Sequence, residues 1–450
     1  MRRSLVSTGL LLALLLLAHR DLPSSRAAGE ETPDEKQKTG GNATDEDALI
    51  RDLSGDDVHI RLAAIIKLER LRTKAASAVP ALIVAFEDES ELIANSAVDA
   101  IVKMGPIAVP DLITALDNPS AGVRTKVAEA VGRIGSKAAK ARLALEKAAK
   151  DADNPPALRC EALRALGEIQ DDAAIPALAY VLASNADETV RTRAAAALGQ
   201  YGRKAKAALP ALLGILQTFA LDKRVSPLER SAEYAVAMIG SDALPDLLKI
   251  VETEDNQAPV KRRVLRAMRW MAKDDQKCEM RDVVPVLVRL ARDDELDSSL
   301  RLDTIETLGT IGNRAAAAVP DLEKLLSHKN ADIRLRTAES LTEVDPTNKK
   351  VVSALIDLLS DSDIRRRTDA AVALGRCKSS TDESVPALCR ALGDEREEVR
   401  LQAVQSLGHI GKPASAALAD LKKLLKENLS FVMRHATEQA IKHIEMEGER

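Results

Sequence analysis

Aromatic side chains are scarce in this 450-residue chain, which has three Phe, three Tyr and one Trp. A core that cannot draw on rings must be filled by the Ala, Leu, Val and Ile that dominate its apolar 46%, a mixture that favours helices over sheets. So few rings also argue against sites that stack or flip out nucleic-acid bases. An excess of charge of either sign is missing too: 65 basic against 69 acidic residues leave a net charge of −4. The chain as a whole therefore has no pull toward nucleic acid or an anionic membrane, and an electrostatic partner must be met locally. Four cysteines, Cys160, Cys278, Cys377 and Cys389, are too few for a disulfide framework and read as small buried hydrophobes. Of these, Cys377 and Cys389 sit on either side of one turn and are the pair that could bridge if geometry allowed.

Histidine is thin as well. His19 falls in the amino-terminal run, while His59, His328, His409, His435 and His443 are scattered. His435 and His443 lie two helical turns apart with no acidic partner at metal-binding spacing. Nucleophile-elbow, phosphate-loop and calcium-loop patterns are absent. One long apolar run exists, Leu5 to Ala18, preceded by Arg2 and Arg3 and followed by Ser25-Arg26-Ala27. It is short for a membrane span and has the layout of a secretory signal. Residues 1–27 are expected to be a signal peptide and 28–45 a disordered polar linker. Residues 46–450 then form the folded part, exported to the periplasm or the cell exterior and without stable membrane insertion once the signal is removed.

What the sequence has in abundance is repetition. Aligning an apolar residue followed by Arg, with small or apolar residues downstream and Leu-Gly at seven and eight, gives twelve starts: Arg61, Ala94, Arg124, Arg159, Arg191, Glu229, Lys261, Arg301, Arg334, Arg367, Arg400 and Arg434. A step near 33 residues over most of the chain is the mark of a solenoid. In the unit at Arg191, Val190, Ala194, Ala197, Leu198 and Tyr201 fall on one face of a helix. A turn follows, often with Gly. A second helix then opens at Pro80, Pro110, Pro176, Pro210, Pro245, Pro285, Pro320 or Pro386, since the first turn has no acceptor for the N–H that proline lacks. Asp57, Asp332 and Asp363 are placed to cap the first helix of their units. A lone second helix from Asp47 and a lone first helix, Phe431 to about Met446, would close the two ends.

These units resemble HEAT repeats, in particular the short bacterial kind known as phycobilisome-lyase HEAT-like repeats, most fully in Val190 to Gln217, Leu300 to Asp332 and Val399 to Leu425. The resemblance implies an all-α, right-handed solenoid of about eleven two-helix repeats, with second helices lining the concave surface. Ala94 and Glu229 depart from the pattern at the Arg position, as do Arg142, Ser353 and Ala419 where Pro is expected. The recurrent Arg with a nearby Asp reads as a ladder between repeats. Gly132, Gly167, Gly199, Gly309, Gly375 and Gly408 read as points of close helix packing.

Function must come from residues that do not repeat. Four residues past the Pro position stand Arg51, Val84, Thr114, Glu146, Tyr180, Gly214, Lys249, Arg289, Lys324, Asp357, Arg390 and Lys423, and five of the last six are basic. The resemblance puts this strip in the concave groove, where an acidic peptide, a phosphate-bearing ligand or an acidic polysaccharide could lie. Against that, Asp246, Asp321 and Asp420 precede Lys249, Lys324 and Lys423 by three residues, the spacing of surface ion pairs of about 0.2 to 0.5 kcal/mol. A second candidate, Val260 to Asp282, holds Trp270, with Arg262, Arg266, Arg269 and Lys273 on one helical stripe. This stripe is either a partner contact or a solvated face paired with Glu229 and Glu233. HEAT-type iron hydroxylases carry His-Glu dipeptides, which this chain lacks. The expectation is a non-enzymatic, exported, monomeric interaction scaffold that binds an acidic protein or peptide, with no cofactor, metal or nucleic acid. A bilin-lyase-related subunit and a polyanion-binding module stand as alternatives. Intact-mass measurement of the exported protein is expected to give a chain beginning at Ala28; a mass that includes residues 1–27 would mean a retained anchor.

Overall fold

The computed structural model describes residues 43–184, 186–218, 225–253, 258–274, 280–377 and 380–446. The expected signal segment, the linker up to residue 42 and Cys278 lie outside them. The chain divides into residues 1–48 and a compact unit from Leu49 to Arg450, with the helix Ala43–Asp52 crossing that boundary. Among the described residues every regular element is helical. Long first helices, such as Glu188–Tyr201 with 14 residues, alternate with shorter second helices, such as Leu209–Gln217 with nine. Each first helix packs on the next first helix, many second helices pack on the next second helix, and the two layers close on each other. The compact unit is an all-α solenoid, ending on the lone first helix Phe431–Met446.

Local chemistry explains the repeat boundaries. Asp57 and Asp363 accept the backbone N–H two residues on, at 2.7 and 2.8 Å, and so cap their helices. Asp332 does not: Asn330 is the cap and receives the N–H of Asp332 at 2.9 Å. Proline sits in the first turn of second helices such as Val109–Ala115 and Val319–Leu325. Pro386 is the exception, because its helix begins earlier, at Thr381. Eight first helices end on a residue with positive φ that turns the chain into a short 3-10 segment, whereas Ala331–Val344 and Ile364–Arg376 end on Asp345 and Cys377 at negative φ. Gly312 at φ 65° is typical of this position, and no side chain hinders it there. Arg72 holds the same place at φ 52° and ψ −124°, a conformation that costs a residue with a side chain about 1 to 3 kcal/mol.

The apolar stripe read at Val190, Ala194, Ala197, Leu198 and Tyr201 is buried throughout. The Tyr201 hydroxyl donates to the carbonyl oxygens of Leu166 and Asp171 at 2.7 and 3.1 Å. The recurrent Arg ties the layers together. Arg61 donates to the carbonyls of Gly55 and Asp56, both at 3.0 Å, and pairs with Asp88 in the next loop. Arg367 likewise bonds the carbonyls of Asp361 and Ser362 and pairs with Asp394. At Glu229 the sign is reversed, and the next first helix supplies the cation. Arg263 pairs with Glu229 at 2.6 Å while donating to the carbonyls of Leu216 and Thr218.

Close approach of first helices is visible at the glycines. A Cβ on Gly309 would lie 2.8 Å from the Cα of Ser340, and one on Gly408 would lie 2.9 Å from the Cα of Ala440. Gly214, in a second helix, has open space instead. Gly309→Ala is therefore expected to lose about 1 to 3 kcal/mol through overpacking, although Ala is the better helix former. Gly214→Ala is expected to gain about 0.5 to 1 kcal/mol. Urea unfolding of the two variants checks this, and equal shifts for both would show that the Gly309 contact is slack.

Candidate functional site

The strip positions occupy one register of the second-helix layer. Eleven of the twelve are exposed, and Glu146 is half-buried. Lys249 stands on the helix Leu244–Glu252, Arg289 on Val283–Arg292, Lys324 on Val319–Leu325, Arg390 on Thr381–Ala391 and Lys423 on Leu418–Leu424. Of the three expected pairs at i,i+3, one forms, Asp321 with Lys324 at 3.1 Å, and Asp321 also holds Arg292 at 3.2 Å. Arg289 reaches back one repeat to Glu252 at 2.5 Å. Lys249, Arg390 and Lys423 form no ion pair among the described residues. Asp420 lies instead beside the Cys389 thiol, which burial, with help from that carboxylate, pushes up to about 11. Arg390 also lines an open cleft of about 400 Å³ between the helices Lys350–Leu358 and Thr381–Ala391, walled by Ile356, Leu359 and Ala387 and carrying Asp357 and Asp394.

The arginines of the second candidate pair with acids of the neighbouring first helices. Arg266 is bidentate to Glu233 of the preceding first helix, with distances of 2.6 to 3.1 Å. Arg262 pairs with Asp303 of the following first helix, and Arg269 donates to the carbonyl of Asp303 at 3.1 Å. Burial pushes the Glu233 carboxyl above the usual carboxylate range, against the pull of Arg266. Glu229 pairs with Arg263, a residue the helical stripe did not include. Trp270 is half-exposed, edge-on to Tyr234 with ring centroids 6.1 Å apart. That contact escaped the sequence reading, which took the rings one at a time. Placing Tyr234 and Trp270 on the outer face of adjacent first helices would have found it.

The chemistry weighed from Cys and His does not assemble. Cys377 and Cys389 are free thiols rather than a bridge: Cys377 is buried against the Ala373 carbonyl at 3.4 Å, and burial raises its pKa. His328 lies 3.1 Å from the Asp294 carboxylate, which also holds Arg301. Among the described residues no three His, Cys, Asp or Glu gather as a metal-binding group.

The ladder carries a pH signature. Hydrogen bonds from His328 and Arg301 hold Asp294 below the usual carboxylate range. Burial acts to raise Asp394, but hydrogen bonds from Arg367 and the Arg396 N–H outweigh it and lower its pKa. Both groups are stronger acids folded than unfolded. The stability they contribute is therefore present above the unfolded Asp value near pH 4 and is lost as pH falls through their folded values. Urea midpoints are expected to hold from pH 7 to about 5 and to drop steeply below about 4. Arg367→Ala should flatten that drop, and an unchanged slope would remove Asp394 from the account.

The family model for HEAT repeats matches residues 143–226, 244–342, 284–375 and 352–442. No curated protein matches the sequence. Among solved structures, karyopherin Kap121p bound to the SUMO protease Ulp1p is similar at a TM-score of 0.58 and 16% identity, covering 90% of this chain and 49% of that one. Kap121p bound to Ste12p gives the same figures. Kap95p, in a structure concerned with its binding of RanGDP, gives 0.54 and 13% identity over 90% of this chain and 61% of that one. The chain thus spans about half the length of the Kap121p solenoids, and at these identities the likeness is one of fold.

Proposed function

Because the chain belongs to the HEAT repeat family, we propose that it is a protein-interaction scaffold that holds an acidic polypeptide segment along the second-helix face of its carboxy-terminal half. The observation that carries this reading is the trio Lys249, Arg390 and Lys423, exposed at one register and without an ion-pair partner among the described residues. A cation that already has a carboxylate gains little from a second one, whereas an unpaired cation gains a full new contact. Repetition sets these charges along the solenoid axis, so an extended chain meets them in succession. Many weak contacts then set orientation and encounter rate. Kap121p and Kap95p, seen with Ulp1p, Ste12p and RanGDP, are examples of the fold used to hold proteins. The amino-terminal layout supports an exported site of action. The role is one of binding rather than catalysis.

The test is anisotropy of a labelled Glu-rich peptide against the natural chain and a variant with Lys249, Arg289, Lys324, Arg390 and Lys423 changed to Glu. The variant is expected to bind at least tenfold more weakly, about 1.4 kcal/mol, and Asp357→Lys to bind more tightly. Equal binding by natural chain and charge-reversed variant would end the proposal. A sulfated polysaccharide bound far more tightly than the peptide, with affinity falling steeply as salt rises, would favour a polyanion-binding module.

A further inference from the structure

A chain with so few rings places two of them, half-exposed, at one spot. Tyr234 is 42% and Trp270 48% exposed, and their rings meet at 90°. They line an open cleft of about 580 Å³ formed across three successive first helices, Glu188–Tyr201, Pro227–Ile239 and Ala258–Asp274. The size lies within the range of small-ligand sites. The solenoid's own packing builds it. A Cβ on Gly199 would lie 3.2 Å from the Tyr234 ring, so that ring rests against bare backbone. Gly167 makes room in the same way for the amide of Gln200, whose Oε1 would lie 2.4 Å from a Cβ there. Gln200, Arg230 and Ser231 line the same cleft, and their side chains have no hydrogen bond or ion pair among the described residues. Among the described residues no carboxylate lines it.

We propose that this cleft is a saccharide site that takes a sugar bearing a carboxylate. A pyranose ring presents a face of C–H groups, which suits an aromatic ring, and a rim of hydroxyls that both donate and accept. The Gln200 amide and the Ser231 hydroxyl do both as well, whereas Arg230 donates only and is matched by an anion. Perpendicular rings form no parallel-walled slot for a proline ring. Apart from the two rings, Ala196 and Pro227 are the apolar lining, too little for an apolar peptide anchor. The cleft is built from first helices and the basic strip from second helices, so the inference does not rest on the strip.

Trp270 is the only tryptophan in the chain, so tryptophan emission, excited beyond the tyrosine absorption band, reports this cleft alone. The probes are an oligomer of galacturonic acid, its methyl ester and a Glu-rich peptide. The expected result is a saturable emission change with the acid oligomer, at least tenfold weaker with the ester and tenfold weaker in Arg230→Gln. The strip-reversed variant should respond as the natural chain does. Calorimetry on Tyr234→Ala, with its thermal melt recorded to confirm folding, should show the same loss. The absence of a saturable change, an effect indifferent to Arg230→Gln, an equal response to the peptide, or loss of response in the strip variant would each overturn the proposal.

Discussion

At several of their contacts one first helix meets the next with no side chain between them, and the spacing of the layers follows from those points. At Gly309 and Ser340, at Gly375 and Ser406, and at Gly408 and Ala440, a missing Cβ lets one backbone come within van der Waals range of the next. A contact between backbones has no rotamers to absorb error, so it sets the spacing of layers more strictly than a side-chain contact can. The same rule explains the aliphatic composition. Large rings do not fit between helices this close, and Tyr201 is accommodated by reaching past the contact to two carbonyls of the previous repeat.

The second constraint is electrical. Carbonyls at and beyond the end of a second helix are left without intrahelical donors, and the recurrent Arg supplies them with N–H groups, as at Arg159, Arg191 and Arg301; at Arg61 and Arg367 its charge is also met by an acid one loop further on. A cation that reaches those carbonyls need not be an Arg at that one sequence position. Glu229 shows this, because its neighbour Arg263 enters from the next helix, bonds the same class of carbonyl and pairs with the reversed charge. Glu233 with Arg266, and Asp303 with Arg262 and Arg269, extend the exchange over three successive first helices. The density of basic residues in Val260 to Asp282 is in good part the compensation for two acids in the unit before it.

That compensation also shows where the sequence was legible. The period, the helix pair, the register of the buried stripe and the carboxy-terminal helix were readable, because each rests on a contact between fixed positions of neighbouring units; the amino-terminal helix starts at Ala43, ahead of the expected Asp47 and inside the stretch read as linker. Caps and helix starts were readable wherever one residue decides them, as at Asp57 and Asp363. They were misread where two neighbours compete, as at Asn330 and Asp332, or where a helix can extend back past its proline, as at Pro386. Exposure of the basic strip followed from register. Which of its cations are already paired did not, since Arg289 finds Glu252 in another repeat and Asp420 turns to Cys389. The aromatic cleft was hidden for a similar reason: it needs Gly167 and Gly199 to position Gln200 and Tyr234, each in the unit after its glycine.

Two layers with different duties emerge from this. First helices carry the backbone contacts and most of the buried ion pairs, so their inward positions are constrained and variation is confined to their outer face. Second helices are shorter, and their fourth position past the proline is exposed in eleven of the twelve units, so side chains of different chemistry stand there without disturbing the spacing. Val84, Tyr180 and Gly214 at that register in one half, against Lys249, Arg390 and Lys423 in the other, show how widely it has varied in chemistry while the repeat around it has not. An exposed position held at fixed intervals is where a solenoid can acquire a binding preference without altering its fold. Charge is the preference that such a row conveys best to an extended partner, because it acts before contact and needs no pocket.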